Sequence, residues 1–236
     1  MRISRFLTVV FIILLFSSLT FGLGPSTKFY LSFYEPDISE LSNALDVSIN
    51  LNQKYNFGMQ LEMGFPGGFS VVGSASAYFG QASSTVEIDL GLLGTETFPL
   101  DHEVYLFPVD LMLKYKFYQM TVISFYGMGG LSWAYALYRQ EYGGSYATLV
   151  TGGLNSKIAR GWTNSGFVFG AGAEFKVAVI SGFIEMVHRS GKIESLRYFD
   201  TGSLEFDGKL ITDEYGNNAG IDLKGMEYRI GISIGF

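Results

Sequence analysis

A strict two-residue alternation in the last eleven residues constrains this chain more than any other feature. From Met226 to Phe236 every second residue is apolar, and the residues between are small or charged. Successive side chains of a β-strand point to opposite faces, so one face of this segment is wholly apolar. The apolar positions are Met226, Tyr228, Ile230, Ile232, Ile234 and Phe236. The pattern predicts an amphipathic strand with one apolar face.

The same alternation recurs along most of the chain. It marks residues 55–65, 69–80, 105–117 and 166–177, and each run is close to or above the ~9–11 residues that a tilted strand needs to cross a bilayer. Charged residues make up only 16 % of the chain, below the roughly 25 % of soluble domains. We therefore predict an all-β fold, a transmembrane up-and-down antiparallel β-barrel of eight strands in meander order. A soluble β-sandwich is the alternative.

Three segments are less regular. Between Thr121 and Tyr138 the alternation changes phase around the glycines at 127, 129 and 130, which predicts a bulge. In 181–191, Ile184, Met186 and His188 are assigned to the outward face. Phe183 does not fit this assignment, because the alternation places this large apolar residue on the inward face. The segment 46–51 also alternates, and is interpreted as loop structure or as an extension of the second strand.

The predicted connections alternate in length. Short turns are expected at 66–68, 118–120 and 178–180, and long polar loops at 35–54, 81–102, 141–161 and 200–220. Short turns at one rim and long loops at the other are typical of outer-membrane barrels. An even strand count places both chain ends at the rim of the short turns.

The first residues resemble an export signal. Arg2 and Arg5 precede the apolar run 6–16, and small residues follow up to Gly22; this run is shorter than the ~18 residues of a spanning helix. We predict a cleaved signal peptide at 1–22 and a barrel domain at 23–236, exported to the bacterial outer membrane. An uncleaved anchor is the alternative.

Charge and cysteine content narrow the partners. The chain has 16 basic and 22 acidic residues; without Arg2 and Arg5 the remainder holds 14 against 22, a net charge of −8, which argues against nucleic-acid binding. The chain contains no cysteine, so it has no disulfide, thiolate metal site or acylation site. We expect outer-membrane lipid as a partner, a monomer, and no cofactor or catalytic residue.

Ten charged residues fall on the inward face of the predicted strands, five acidic and five basic. An eight-stranded barrel is just wide enough for side chains to fill its interior, and a lone buried ion costs several kcal/mol. The favoured interpretation is an ion network that plugs the barrel; the alternative is a gated or proton-conducting path. The residues are Glu62, Asp110, Glu174, Glu185, Glu227, Lys114, Lys116, Lys176, Arg189 and Arg229.

The final strand resembles the C-terminal assembly signal of bacterial outer-membrane barrels. Arg229, Gly231, Ile234 and Phe236 match that signal in place. The resemblance implies that the barrel-assembly machinery is a partner of this strand.

At pattern level, residues 28–236 resemble the small barrels grouped with OmpX, OmpW and the opacity proteins. The similar segments are 30–36, 108–115, 126–131 and the closing strand. This resemblance implies fold and location but no single function, because the group includes adhesins, small-solute channels and proteins of unknown role. We expect a non-enzymatic envelope protein with exposed loops, and a small-solute or ion channel as the alternative.

The two histidines of the chain are candidates for catalysis or metal binding. His188 and Ser190 share a strand face, as in the His-x-Ser arrangement of lipid A 3-O-deacylases, but Gly191 and Gly202 stand where that family has asparagine and an acidic residue. Because of these departures, a lipid A deacylase ranks only as the second alternative, after the channel. His102 stands beside Asp101 in a predicted loop, and neither it nor the acidic loops show metal-ligand spacing.

Overall fold

The computed structural model describes residues 25–47, 49, 51, 55–89, 94–142, 156–163, 165–177, 180–199 and 208–235. The predicted signal peptide and Phe236 lie outside this part of the chain. Within it, no helix has the length and apolar character needed to cross a bilayer.

The alternating segments form β-strands, since each can place its apolar side chains on one face. A short helix, α1 (Ser39–Ala44), follows the first strand. The strands are β1 (Pro25–Phe33), β2 (Tyr55–Gly64), β3 (Phe69–Asp89), β4 (Thr95–Gln119), β5 (Ile123–Tyr142), β6 (Ser156–Trp162), β7 (Gly166–Val177), β8 (Ile180–Arg189), β9 (Lys192–Ile193), β10 (Arg197–Tyr198), β11 (Ile221–Asp222) and β12 (Gly225–Gly235).

Eight of these strands close into an antiparallel barrel, as predicted. Their order is β1–β2–β3–β4–β5–β7–β8–β12, and β12 pairs with β1 to complete the ring. The long β5 pairs with β7 along its inner half, Ile123–Ser132, and with β6 along its outer half. Pro25 pairs with Met63, beside the short 66–68 turn, and Ser26 pairs with Gly235, so the start of β1 and the end of β12 lie at the rim of the short turns.

The barrel wall has an apolar outer surface and a largely polar inner one. Large side chains point outward along β1, β4, β7, β8 and β12, while serines, glutamates, lysines and arginines point inward. A broad apolar exterior on a closed barrel is the lipid-facing band of a membrane-spanning barrel. The exposed side chains include Phe29, Leu31, Phe57, Leu111, Leu113, Phe167, Phe169, Ile184, Met186, Ile230 and Ile232.

The predicted loops at 81–102 and 141–161 are wrong in part. β3 continues to Asp89 and β4 begins at Thr95, while β5 reaches Tyr142 and β6 begins at Ser156. The strands keep their phase, but their polarity inverts: polar residues such as Gln81 and Glu103 face out, and apolar ones such as Leu100 face in. This inversion is expected where a wall leaves lipid for water, because the outward face then prefers polar groups.

The irregular segments are simpler than predicted. β5 keeps one phase, with Tyr126 and Met128 facing in between outward-facing glycines, so the predicted bulge there is absent; the register shift lies between Lys116 and Tyr118. Phe183 faces inward with Glu185 and fits the frame of β8. In 46–51, the described residues begin with a turn, and the side chains of Ile49 and Leu51 are buried.

The outer end of the barrel is filled by an apolar core. Residues from 38–51, 193–196 and 211–223 pack against inward-facing residues of β3, β4, β5 and β6. We call this group the outer cap. It comprises Ile38, Leu41, Ile49, Leu51, Tyr78, Ala82, Val104, Leu106, Ala134, Ala136, Tyr138, Ala159, Ile193, Leu196, Ile211, Ala219, Ile221 and Leu223.

Candidate functional site in the barrel interior and outer sheet

A first ion cluster lies inside the barrel near the short turns. The Lys28 ammonium is 3.0 Å from a Glu62 carboxylate oxygen and 3.1 Å from one of Glu174. Lys114 lies 2.7 Å from Glu62, and Lys116 lies 2.9 Å from Glu174. Four different strands therefore contribute charges to one site, which ties opposite walls of the barrel together.

A second cluster lies farther toward the outer end. The Asp110 carboxylate accepts hydrogen bonds from Arg189 at 2.7 Å and from Arg229 at 3.3 Å. Glu227 lies 2.8 Å from Arg229 and 3.1 Å from Arg189. Both arginines are among the largest fully buried side chains of the described residues, so their charge depends on these two carboxylates.

Neutral side chains donate hydrogen bonds to two of the buried carboxylates, Asp110 and Glu185. Ser132 donates to Asp110 at 2.7 Å, and Gln60 and Tyr126 donate to Glu185 at 2.8 Å each. Glu185 also lies 3.6 Å from Arg229. Buried carboxylates are stabilised only when their remaining oxygen lone pairs are also hydrogen-bonded. The Asp110 and Glu185 carboxylates meet this condition, whereas Glu227 Oε1 has no partner and the ion pairs of Glu227 are on its other oxygen only. Ion pairs therefore occupy the interior, and it is not an open polar channel.

Nine of the ten residues assigned inward from the sequence contribute to these contacts. The exception is Lys176, which is exposed at the turn rim, where it lines the mouth of the interior together with Lys116 and Glu174. Lys28, fully buried, was missed by sequence reasoning. Its signal was available, because Lys28, Tyr30 and Ser32 alternate with Thr27, Phe29 and Leu31. With Lys28 in place of Lys176, the interior set holds five acidic and five basic residues.

The three described residues of the C-terminal motif lie in β12. Gly231 sits where a Cβ atom would come within 2.1 Å of the Phe29 carbonyl oxygen and 2.8 Å of the Phe183 ring. Phe183 is directly opposite Gly231 on the neighbouring strand. Glycine therefore provides space for an inward aromatic ring at the seam that closes the barrel.

The two ends of the barrel interior determine whether a solute could pass through it. At the turn rim a cavity of about 790 Å³ reaches Glu62, Lys116 and Glu174, where the first ion cluster begins. Beyond the second cluster, the outer cap fills the barrel with apolar side chains. A solute entering from the turn rim meets two ion clusters and then an apolar core.

The His188 and Ser190 pair does not form a catalytic arrangement in the structure. The His188 ring packs against Phe169, with ring centres 4.8 Å apart. The Ser190 hydroxyl accepts from the backbone N–H of Phe167 at 3.1 Å and donates to its carbonyl at 3.2 Å. Ser190 therefore extends the strand pairing instead of bonding to His188.

His102 is a strand residue, buried on the inner face of β4 above the lipid-facing band. One ring nitrogen lies 2.7 Å from the Ser84 hydroxyl, and the other lies 2.7 Å from the Tyr138 hydroxyl. Burial lowers the pKa of the His102 imidazole, and the neighbouring Asp101 opposes that shift. The neutral imidazole thus joins three strands of the outer sheet.

Acidification is expected to weaken this outer sheet. Because the pKa of His102 is lower in the folded chain than the ~6.5 of an unfolded one, the unfolded state binds the proton more tightly, and stability falls as pH drops below about 6.5. Thermal unfolding of the refolded barrel between pH 7.5 and 5 should show this loss. His102→Gln should flatten it, whereas His188→Gln on the lipid face should not; equal pH slopes in all three proteins would contradict the assignment.

Comparison with known proteins supports the fold. No protein-family model matches the chain, and no curated protein matches its sequence. The crystal structure of the outer membrane protein OprG from Pseudomonas aeruginosa is similar with a TM-score of 0.51 at 14 % identity, covering 90 % of this chain and 95 % of that one. Ail, the attachment invasion locus protein of Yersinia pestis, has a TM-score of 0.41 at 14 % identity, with coverages of 90 % and 97 %.

The fold and its surface define a class. A closed eight-stranded barrel with an apolar outer band, short turns at one rim and extended segments at the other is a β-barrel of the bacterial outer membrane. The chain is located in that membrane.

Proposed function

We propose that the protein is a non-enzymatic, non-conducting surface protein whose outer sheet makes contacts outside the cell. Cleavage of the signal peptide, a monomeric state and recognition of β12 by the barrel-assembly machinery are parts of the same proposal. So is the finer kinship with the OmpX, OmpW and opacity group. One observation carries the proposal: the wall continues well beyond the lipid-facing band as an open sheet.

The free edge of this sheet is the favoured contact surface. Pairing of β3 with β2 ends at Tyr78, and no described strand pairs with that side of β3 from Phe79 to Asp89. Natural edges are usually protected by charged side chains, above all lysine, by proline or by a bulge; this stretch contains no lysine or proline, and its charged residues are Glu87 and Asp89 near the far end. An extended segment of another protein can add to such an edge through backbone hydrogen bonds.

The alternatives are less well supported. Two ion clusters and the outer cap occupy the path that a channel would need. The Ser190 hydroxyl is engaged with the Phe167 backbone, and His188 packs on an aromatic ring, so a deacylase would have to rearrange both. Neither alternative uses the outer sheet.

A designed peptide tests the edge. A fluorescent ten-residue peptide that alternates valine with lysine should bind the refolded full chain, because its lysines would lie beside Glu87 and its backbone would pair with β3. The same peptide N-methylated at alternate residues loses those hydrogen bonds and should not bind. Equal binding of both peptides, or binding of neither, would contradict strand addition as the mode of contact.

A further inference from the structure

Two arginines face each other on the outer surface. In the pairing of β10 with β6, Arg197 lies directly opposite Arg160, while the next pair, Tyr198 and Ala159, faces inward. Both arginines are exposed, and among the described residues neither forms a salt bridge. Like charges directly opposite on neighbouring strands are destabilising. Within the part of the chain that the structure describes, the outer arginine pair therefore has no carboxylate as a counter-charge.

The depth of the pair is set by aromatic side chains. Trp162 is on the same face of β6, two residues closer to the membrane, and is 65 % exposed. Its ring lies 4.3 Å from that of Tyr135. Exposed tryptophan and tyrosine mark the interface of a bilayer, and a strand rises about 3.3 Å per residue. The pair thus lies at the level of lipid headgroups.

Local contacts hold both guanidinium groups on this face. Arg160 lies over the Phe199 ring at 4.7 Å, and Arg197 donates to the Gly208 carbonyl at 3.1 Å. Farther from the membrane, Arg139 pairs with both Glu103 and Glu141. Those carboxylates are thus already engaged with another arginine. The pair is a local basic site on an acidic protein.

We propose that the outer arginine pair binds a phosphate group of an outer-leaflet lipid. Two neighbouring guanidinium groups offer the forked donors that match phosphate oxygens. The side wall directly below the pair is apolar and aromatic, as acyl chains require. A lipid is therefore favoured over a soluble anion, and this inference is independent of any contact made by the β3 edge.

The test uses the refolded full chain in a neutral glucoside detergent. Bisphosphorylated lipid A is titrated and its binding is followed by native mass spectrometry and by the rise in thermal midpoint. R160Q and R197Q are each expected to weaken binding about tenfold, the effect of one lost charge-assisted hydrogen bond. R139Q is the matched control on the same face and should leave the affinity unchanged. Without lipid, R197Q should unfold at the same temperature or higher, because repulsion is relieved.

Three outcomes would overturn the proposal. Unchanged affinity in both R160Q and R197Q would remove the pair from the site. Equal binding of lipid A stripped of its phosphates would show that acyl chains alone drive the association. Displacement by inorganic pyrophosphate at the concentration at which lipid A binds would identify a soluble anion as the occupant instead.

Discussion

Asp110→Asn is expected to lower the free energy of unfolding by about 3–5 kcal/mol, because breaking a buried ion pair leaves the partner charge uncompensated. Asp110 accepts from Arg189 and Arg229 together, so one substitution removes the shared counter-charge of two buried arginines. Asparagine keeps the size and shape of the side chain, so the loss reports charge rather than packing. Urea unfolding in lipid vesicles, followed by the gel shift between folded and heated forms, measures it.

Asp101→Asn is the matched control. Asp101 lies on the same strand, is exposed, and accepts a hydrogen bond from the Ser83 hydroxyl at 2.7 Å. Its substitution should change stability by no more than about 0.5 kcal/mol. Similar losses in the two variants would mean that the interior clusters contribute no more than a surface carboxylate does.

Gly231→Ala is expected to have a comparable effect for a steric reason. The added methyl group would meet the Phe29 carbonyl oxygen and the Phe183 ring, and the backbone of β1 would have to move away from β12. Overpacking typically costs about 1–3 kcal/mol and more where backbone must shift. Refolding into detergent without any assembly machinery should give a smaller folded fraction and a lower urea midpoint.

Gly182→Ala provides the comparison, because nothing lies within 4 Å of a Cβ atom at that position. It should fold normally or gain slightly from reduced freedom of the unfolded chain. Normal refolding of Gly231→Ala would show that the glycine of the C-terminal motif has no packing role, leaving recognition during assembly as its explanation.

Much of the fold could be predicted because one physical rule operates along every strand. In lipid, apolar side chains face out, so the alternation of β2, β4 and β12 could be recognised directly. The same rule explains the errors at 81–102 and 141–161. Beyond the lipid the outward face becomes polar, and residues such as Gln81, Ser83 and Asp101 resembled loop composition although the two-residue period continued.

The site was predictable only as far as inward orientation follows from alternation. Glu62, Asp110 and Arg229 stand alone as charges between apolar neighbours, which marks their face. Lys28 was overlooked although it alternates with the outward-facing Phe29 and Leu31, and Lys176 was included although its side chain is exposed at the turn rim. Which carboxylate pairs with which cation depends on contacts across the barrel, and these are not encoded in any local pattern. The Arg160 and Arg197 pairing arises in the same way, from distant segments.

The point where the polarity of the outward face inverts also fixes the depth of the barrel in the bilayer. Between Phe79 and Gln81 the preferred surroundings of the barrel wall change from hydrocarbon to water. Movement of the barrel out of the bilayer would expose apolar side chains to water, and movement into it would bury polar side chains in hydrocarbon. The ten residues from there to Asp89 rise roughly 25 Å along a strand tilted by about 40°. The free edge of β3 is therefore held at a constant height above the lipid headgroups, where large molecules can reach it without contacting the bilayer.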